Sequence, residues 1–320
     1  MIIDELLGRT TRKYTLISLF EQHNKMMEAA IGTEATRGNY KNFKTSLKYL
    51  KEFVNDQYQS MDLPLIKVSE EFITGYSLFL QTKKQCHHNG AVKQLQRLKK
   101  VLNIGVSKGW LLRNPFSNHR LKFESYDRII LNQEELQAIE KLSGLSPKLQ
   151  LTTDAFLFAC WTGLSYVDTR NLKQDNIVKG IDNTQWIITR RQKSNVKARI
   201  PLLPQALMII DKYKSHPKLK EKHVIPIFSN QKTKDYLKEI ARKAAIDKPL
   251  SFSVGRHVFA TVITLSNGVP IETVSKALGH TSIRTTQIYS RVVDEKIAAD
   301  FAKLRNVLDK SQPDEGSHNP

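Results

Sequence analysis

Apolar residues along the first third of the chain recur at helical spacing. In TLISLFEQHNKMMEAAIG, Leu16, Leu19, Phe20 and Met27 share one face, and in YKNFKTSLKYLKEFV so do Phe43, Leu47, Leu50 and Val54. VSEEFITGYSLFLQTKK and GAVKQLQRLKKVLNIGVSKGW continue the pattern, so residues 15–123 predict a four-helix unit without convincing strand alternation. Asn114-Pro115 stops the last helix, because a residue before proline is pushed out of the α region, and SNHRLKFESYDRI reads as an extended linker. A domain boundary near residue 125 follows.

Beyond it the pattern changes. LNQEELQAIEKL opens with Asn132 as N-cap and an acidic first turn, and TTDAFLFACWTG reads as a buried helix stopped at Gly163. NIVKGIDNTQWIITRRQKSNVKARIPLL alternates and carries turn residues, which predicts a small antiparallel sheet. Helices resume at PQALMIIDKY and are expected to persist to about Leu308. On the last of them Ile297, Phe301, Leu304 and Leu308 recur at i, i+4, i+7 and i+11. The polar segment 310–320 is expected to be disordered. The predicted class is mainly α with a small antiparallel β-sheet, in two domains, 15–123 and 126–309.

Composition narrows the partners. Fifty Lys plus Arg against 31 Asp plus Glu leave a formal net charge of +19, spread over both domains, which points to a polyanion and first to nucleic acid. Lys93, Arg97 and Lys100 fall at i, i+4 and i+7, opposite Leu95, Leu98 and Leu102. This stripe is either a DNA-binding surface or an ordinary solvated helix face. The only cysteines, Cys86 and Cys160, lack disulfide or zinc-ligand spacing, so no metal is expected and a reducing cytoplasm fits. No stretch approaches the roughly 18 apolar residues of a membrane span, and MIIDELLGRTTRK has no signal-peptide core.

The candidate chemistry lies in the second domain. ETVSKALG ends in a helix-stopping glycine, which puts His280 in a tight turn, Thr281 or Ser282 at the next N-cap and Tyr289 about two turns along that helix. SFSVGRHVFAT places Arg256 near the start of another helix. A tyrosine, an arginine and a histidine on a basic scaffold suit metal-free phosphodiester transesterification, which needs an oxygen nucleophile and fixed donors around a phosphorane-like transition state. Taken singly, a tyrosine is more often a core residue, and a helix-start His or Arg more often a cap or an ion-pair partner.

In order, however, TGL at 162–164, the basic hairpin at 190–199, RHVFAT at 256–261 and LGHTSIRTTQIYSR at 278–291 resemble the tyrosine recombinase (phage integrase) family. The likeness is greater to integrases of Bacteroides-type mobile elements and spans residues 15–308. It implies a SAM-like core-DNA-binding domain at 15–123 and a tyrosine-recombinase catalytic domain at 126–309. It also implies attack of Tyr289 on a phosphate of double-stranded DNA, giving a 3′-phosphotyrosine and a free 5′-hydroxyl, with no cofactor. Arg256 and His280 would hold non-bridging oxygens, and Lys193 would protonate the leaving oxygen. Ring-forming homotetramers joined through the C-terminal helix, accessory DNA-bending proteins and a cytoplasmic, nucleoid-associated bacterial setting go with it. MIIDELLGRTTRKYTL resembles the joint before the core-binding domain, so residues 1–14 are expected to follow no arm-binding domain.

Two departures bear on activity. Ser165 stands where the family has its first catalytic arginine, and Ser253 stands where HxxR has its histidine. Strand alternation would put Arg191 and Lys193 on one face, about 6.6 Å apart. Arg191 is therefore the candidate replacement cation, with Arg190 on the opposite face. His257, offset by one residue from Arg256, is expected to turn by about 100° into the core. Asp168 would orient neighbouring donors, or else be a surface carboxylate. Two alternatives use the same residues, a DNA-binding relic that no longer cuts and a type IB topoisomerase. An enzymatic role requires an accessible Tyr289 hydroxyl within reach of Arg256, His280 and Lys193.

Overall fold

The computed structural model describes residues 14–126, 128–289, 301–302 and 304–305. Two compact units emerge, Met1–Asp127 and Arg128–Pro320. The class is the expected one, helical with a single three-stranded antiparallel sheet among the described residues.

In the first unit, α1 (Leu16–Ala29), α2 (Arg37–Tyr58), α3 (Glu70–Thr82) and α4 (His88–Ser107) enclose one apolar core. The faces read from the sequence are the buried ones, including Leu16, Phe20, Leu50, Val54, Leu95, Leu98 and Leu102. Phe53 is its centre, with the rings of Phe72, Tyr76 and Phe79 at centroid distances of 5.1, 5.1 and 5.4 Å. Thr36 and Ser69 cap α2 and α3 by accepting from backbone N–H groups one turn on. After α4 the extended segment is pinned to that helix's first turn, where the Asn89 amide exchanges two 2.9 Å hydrogen bonds with the Glu124 backbone.

The second unit is built around α6 (Pro147–Thr162), whose residues are buried on nearly every side. Such a helix shows no clear amphipathic stripe, because beyond its first turn only Trp161 is partly open to water. Before it, α5 (Gln133–Glu140) starts with a capping box between Asn132 and Glu135. Behind α6, the buried Asp154 carboxylate accepts from Lys212 and Tyr213, both at 2.6 Å, and from Gln150 at 3.0 Å. These bonds satisfy the carboxylate and hold α8 (Pro204–Tyr213) to the central helix. The short α7 (Tyr166–Arg170) leads into the sheet of β1 (Ile177–Lys179), β2 (Gln185–Arg190) and β3 (Lys197–Pro201), which pairs in sequence order. Ile187 lies opposite Ile177 and Ile200, so the inward positions stack.

Downstream, α9 (Asn230–Lys243) precedes α10 (Phe252–Val258), which runs into a π-helical segment, Phe259–Thr264. Two short helices, α11 (Ile271–Ala277) and α12 (Arg284–Gln287), complete the described part apart from helical residues at 301–302 and 304–305. Phe301 and Leu304 are 58% and 49% exposed. Ile297, Leu308, the 310–320 tail and all but Tyr14 of the 1–14 joint lie outside the described residues. No helix among the described residues is long and apolar enough to cross a membrane.

Candidate active site

Two glycines set the site. Gly163 ends α6 with φ +68°, and a Cβ there would come within 2.6 Å of Phe259 and 2.7 Å of Leu278. Gly255 brings α10 onto α6, with space for only a tight 3.3 Å approach to Ala159 and Cys160. This close crossing presents Arg256 to the carbonyls of two loop ends. Its Nη1 donates to Gly163 O at 2.6 Å and its Nη2 to Leu278 O at 2.6 Å. Burial, and then the charge of Arg191, lower the Arg256 pKa to about 10, so the guanidinium stays protonated near neutral pH.

His280 lies in the turn after α11. Its Nε2 is 3.0 Å from Arg256 Nη2 and its Nδ1 is 2.7 Å from Thr286 Oγ1. An arginine can only donate, so Nε2 is the acceptor and Nδ1–H faces the threonine. Burial, followed by the charges of Arg256, Arg191 and Arg128, brings its pKa down to about 4. The resting imidazole is therefore neutral, its Nε2 lone pair turned to Arg256.

Tyr289 follows one residue after the four-residue α12, and its N–H donates to Thr286 O. It is not two turns along a regular helix, and the α12 N-cap is Ile283, without a side-chain cap, rather than Thr281 or Ser282. The phenolic oxygen is 3.0 Å from His257 Nδ1 and also takes a hydrogen bond from Arg256. Burial raises the phenol pKa, while Arg256, Arg128 and Arg191 oppose that rise. The residue is only 3% exposed. Proximity to Arg256 and His280 is met, and accessibility is not.

The hairpin requires a further correction. β2 ends at Arg190, paired with Lys197, and residues 191–196 form the turn, so alternation does not carry through to Lys193. Lys193 is exposed on this turn and shows no hydrogen bond or ion pair to the other site residues. Arg191 does face them. Its Cγ and Cδ lie 3.2 and 3.0 Å from where a Gly279 Cβ would stand, so glycine at 279 leaves the arginine its path. Its Nε, buried and without a hydrogen bond, is 3.8 Å from Asp168 Oδ2. Arg190 is exposed and donates to Asn195 O.

Asp168 is buried, which removes the surface-carboxylate reading. It accepts from the Ser165 hydroxyl at 2.7 Å and from the Gln192 N–H at 2.9 Å, tying α7 to the hairpin turn. Ser165 thus caps α7 and supplies no charge. Ser253 is exposed, with Oγ 3.4 Å from His257 Nε2.

Two residues escaped the sequence reading. His257 is buried, as expected, but within the core it touches Tyr289. The spacing that matters is four from Ser253, which places both on one face of α10. Arg128, in the segment read as a linker, has Nη1 3.4 Å from His257 Nε2. No local pattern marks it.

In the first unit the basic stripe is only partly a free surface. Lys93 is exposed, whereas Arg97 donates to Gln94 and, with Lys100, lies over the Phe43 ring at 5.9 and 5.5 Å.

Comparison with known proteins accounts for this arrangement. Residues 15–123 match the phage integrase SAM-like domain, and residues 129–296, more than half the chain, match the phage integrase family. The chain belongs to the phage integrase family. Among its relatives, tyrosine recombinase XerD of Listeria monocytogenes is 30% identical over 176 residues, covering 51% of this chain and 58% of that protein. The putative integrase/recombinase y4qK of Sinorhizobium fredii is 25% identical over 303 residues, covering 88% and 91%. The integrase chain thus spans little more than half the length of the XerD relative it matches.

The fold is that of solved integrases. A lambda integrase dimer bound to a COC' core site superposes with a TM-score of 0.70 at 18% identity, covering 86% of this chain and 95% of that one. A lambda integrase tetramer bound to a Holliday junction gives 0.70 at 19% identity, covering 89% and 80%.

Proposed function

We propose that this integrase-family protein is a site-specific tyrosine recombinase that breaks and rejoins double-stranded DNA for integration, excision or inversion. The observation that carries the reading is the convergence on one phenol, where Tyr289 Oη meets Arg256 and His257 Nδ1 while Arg128 and Arg191 act on it electrostatically. Tyr289 attacks the scissile phosphorus, leaving a 3′-phosphotyrosine and a 5′-oxygen. Arg256 grips non-bridging oxygens, as a guanidinium fork can. Arg191, backed by Asp168, supplies the charge that Ser165 cannot. His280 donates to the phosphate once it turns from Arg256, or once the phosphate's negative charge offsets the neighbouring arginines and lets the ring take a proton from solvent. Lys193, exposed on the hairpin turn, reaches the DNA and protonates the leaving oxygen. Each step exchanges one phosphodiester for another, so no external energy source is required.

In the free chain Tyr289 is enclosed, so the reading includes its release on DNA. The strand-exchanging assembly is a tetramer, with the terminal helix docking on a neighbour. Exposed Phe301 and Leu304 support that docking, as does the tetrameric assembly of lambda integrase on a Holliday junction. The setting is the bacterial cytoplasm, at the nucleoid, with DNA-bending proteins assisting.

The test uses duplexes selected by binding to Tyr289→Phe from a random-sequence pool, then nicked beside each phosphate in turn. Wild type is expected to form a denaturation-resistant protein–DNA adduct on one of them, and Tyr289→Phe none. Tight binding with no adduct at any position would favour a non-cutting DNA-binding protein, the reading that Ser165 and Ser253 motivate.

A further inference from the structure

The mechanism above leaves one proton unplaced. A phenol attacks phosphorus as phenolate, so the Tyr289 hydroxyl hydrogen must pass to an acceptor. Arg256 can only donate to the phenolic oxygen, so it cannot take that hydrogen. Among the hydrogen-bond partners of Tyr289 in the described residues, the one nitrogen with a lone pair to offer is His257 Nδ1, at 3.0 Å. The rings stand 5.2 Å apart by centroid.

We propose that His257 is the proton acceptor for Tyr289, reaching from one turn further along α10 into the place of the histidine that the family pattern has at 253. The inference rests on the recombinase reading and adds the residue that activates its nucleophile. Ser253 then has a use of its own. With Nδ1 accepting from the phenol, Nε2 carries the hydrogen and faces Ser253 Oγ at 3.4 Å, a hydroxyl able to accept. Arg128 Nη1, also 3.4 Å from Nε2, can only donate and opposes this tautomer, which the shorter 3.0 Å contact with the phenol favours. A serine in place of a histidine at 253 leaves room for the ring at 257 and orients it.

The step balances. The Tyr289 O–H bond breaks and the proton goes to Nδ1, the phenolate oxygen bonds to phosphorus, and the phosphorus–5′-oxygen bond breaks with Lys193 protonating the leaving oxygen. On resealing, the partner 5′-hydroxyl returns a proton to Lys193, and His257 returns its own to the departing phenolate.

Among the described residues, the charged and titratable groups around the ring are cationic or neutral. They are Arg128 from the segment before α5, Arg256 on its own helix, Tyr289, and His280 beyond the phenol. Burial first, then Arg128 and Arg256, hold the His257 pKa down to about 4. The free ring is thus an empty acceptor at neutral pH, and an incoming phosphate, by offsetting those cations, strengthens it as a base. Because protonation fills the acceptor, the rate must fall as pH falls.

Two measurements test this. The first needs no DNA. Long-range proton–nitrogen correlation spectra of histidine-labelled protein at pH 7, assigned with His257→Gln, are expected to show His257 with bare Nδ1 and protonated Nε2. Protonated Nδ1 would overturn the proposal.

The second follows adduct formation on the nicked duplex described above. His257→Gln is expected to keep DNA affinity and melting temperature, to slow adduct formation about 100-fold, and to lose the acid limb of the wild-type pH profile. Ser253→His added to His257→Gln is expected to restore part of the rate. A His257→Gln variant that cleaves at the wild-type rate with the same acid limb would refute the assignment. If wild type itself forms no adduct, the recombinase reading fails, and the tautomer alone decides whether His257 is poised to accept.

Discussion

Arg191 and Arg190 are adjacent, equal in charge and opposite in surroundings. Arg191 threads past Gly279 toward the Asp168 carboxylate, while Arg190 is exposed and bonds back to its own turn at Asn195. If Arg191 stands in for the missing first arginine, Arg191→Ala should slow adduct formation about 100-fold, the effect of removing one preorganised transition-state donor. Arg190→Ala should leave the rate near wild type, with DNA affinity matched in both. Equal losses would mean that both only hold backbone phosphates. Tyr289, Arg256 and His280 were legible in the sequence because each sits in a short motif with local spacing. The burial of His257 was legible too, but its contact with Tyr289 was not, because its offset was reckoned from Arg256 and not from Ser253. Arg128 was invisible, since an extended segment has no period and its meeting with His257 spans 129 positions.

Elements were readable where local chemistry decides them. Asn132 is the expected N-cap, which Glu135 completes as a capping box, and the TGL turn is a left-handed helix stop. The β2 strand was carried too far because alternation says nothing about where pairing ends. Asn195, at φ +54°, turns the chain there. Nor does FATVIT announce a π-helical segment. Gly163 joins this scale to the site. Its left-handed φ and the absent Cβ let α10 and α11 close over the end of α6, and its carbonyl holds Arg256. Gly163→Ala would force overlap with Phe259 and Leu278 and strain the backbone. An expected loss of about 2–4 kcal/mol follows, read from the urea midpoint at unchanged slope. Retention of the wild-type midpoint would mean that the crossing can open at little cost, and that Arg256 is not held by this packing.

On the scale of the whole chain, a net charge of +19 shared by both units makes a quantitative claim about DNA. Each phosphate neutralised releases condensed counterions, so log K should fall with log salt by about 0.9 per contact on duplex DNA. A chain whose two units both engage the backbone should make roughly six to ten such contacts, giving a slope of about −5 to −9. Engagement by one unit would give a slope well short of that. The first unit's share can be separated by the basic stripe of α4. Lys93 is exposed and without an intramolecular partner among the hydrogen bonds and ion pairs described, so Lys93→Ala should shallow the slope by about 1 with little effect on folding. Arg97 lies over Phe43 and bonds Gln94, so Arg97→Ala should lower the melting temperature as well. Fluorescence anisotropy of a labelled duplex across a salt series, beside thermal melts of the same variants, separates the two effects. A slope unmoved by Lys93→Ala would remove this face of α4 from the DNA-binding surface and leave the first unit's contribution to its other lysines and arginines.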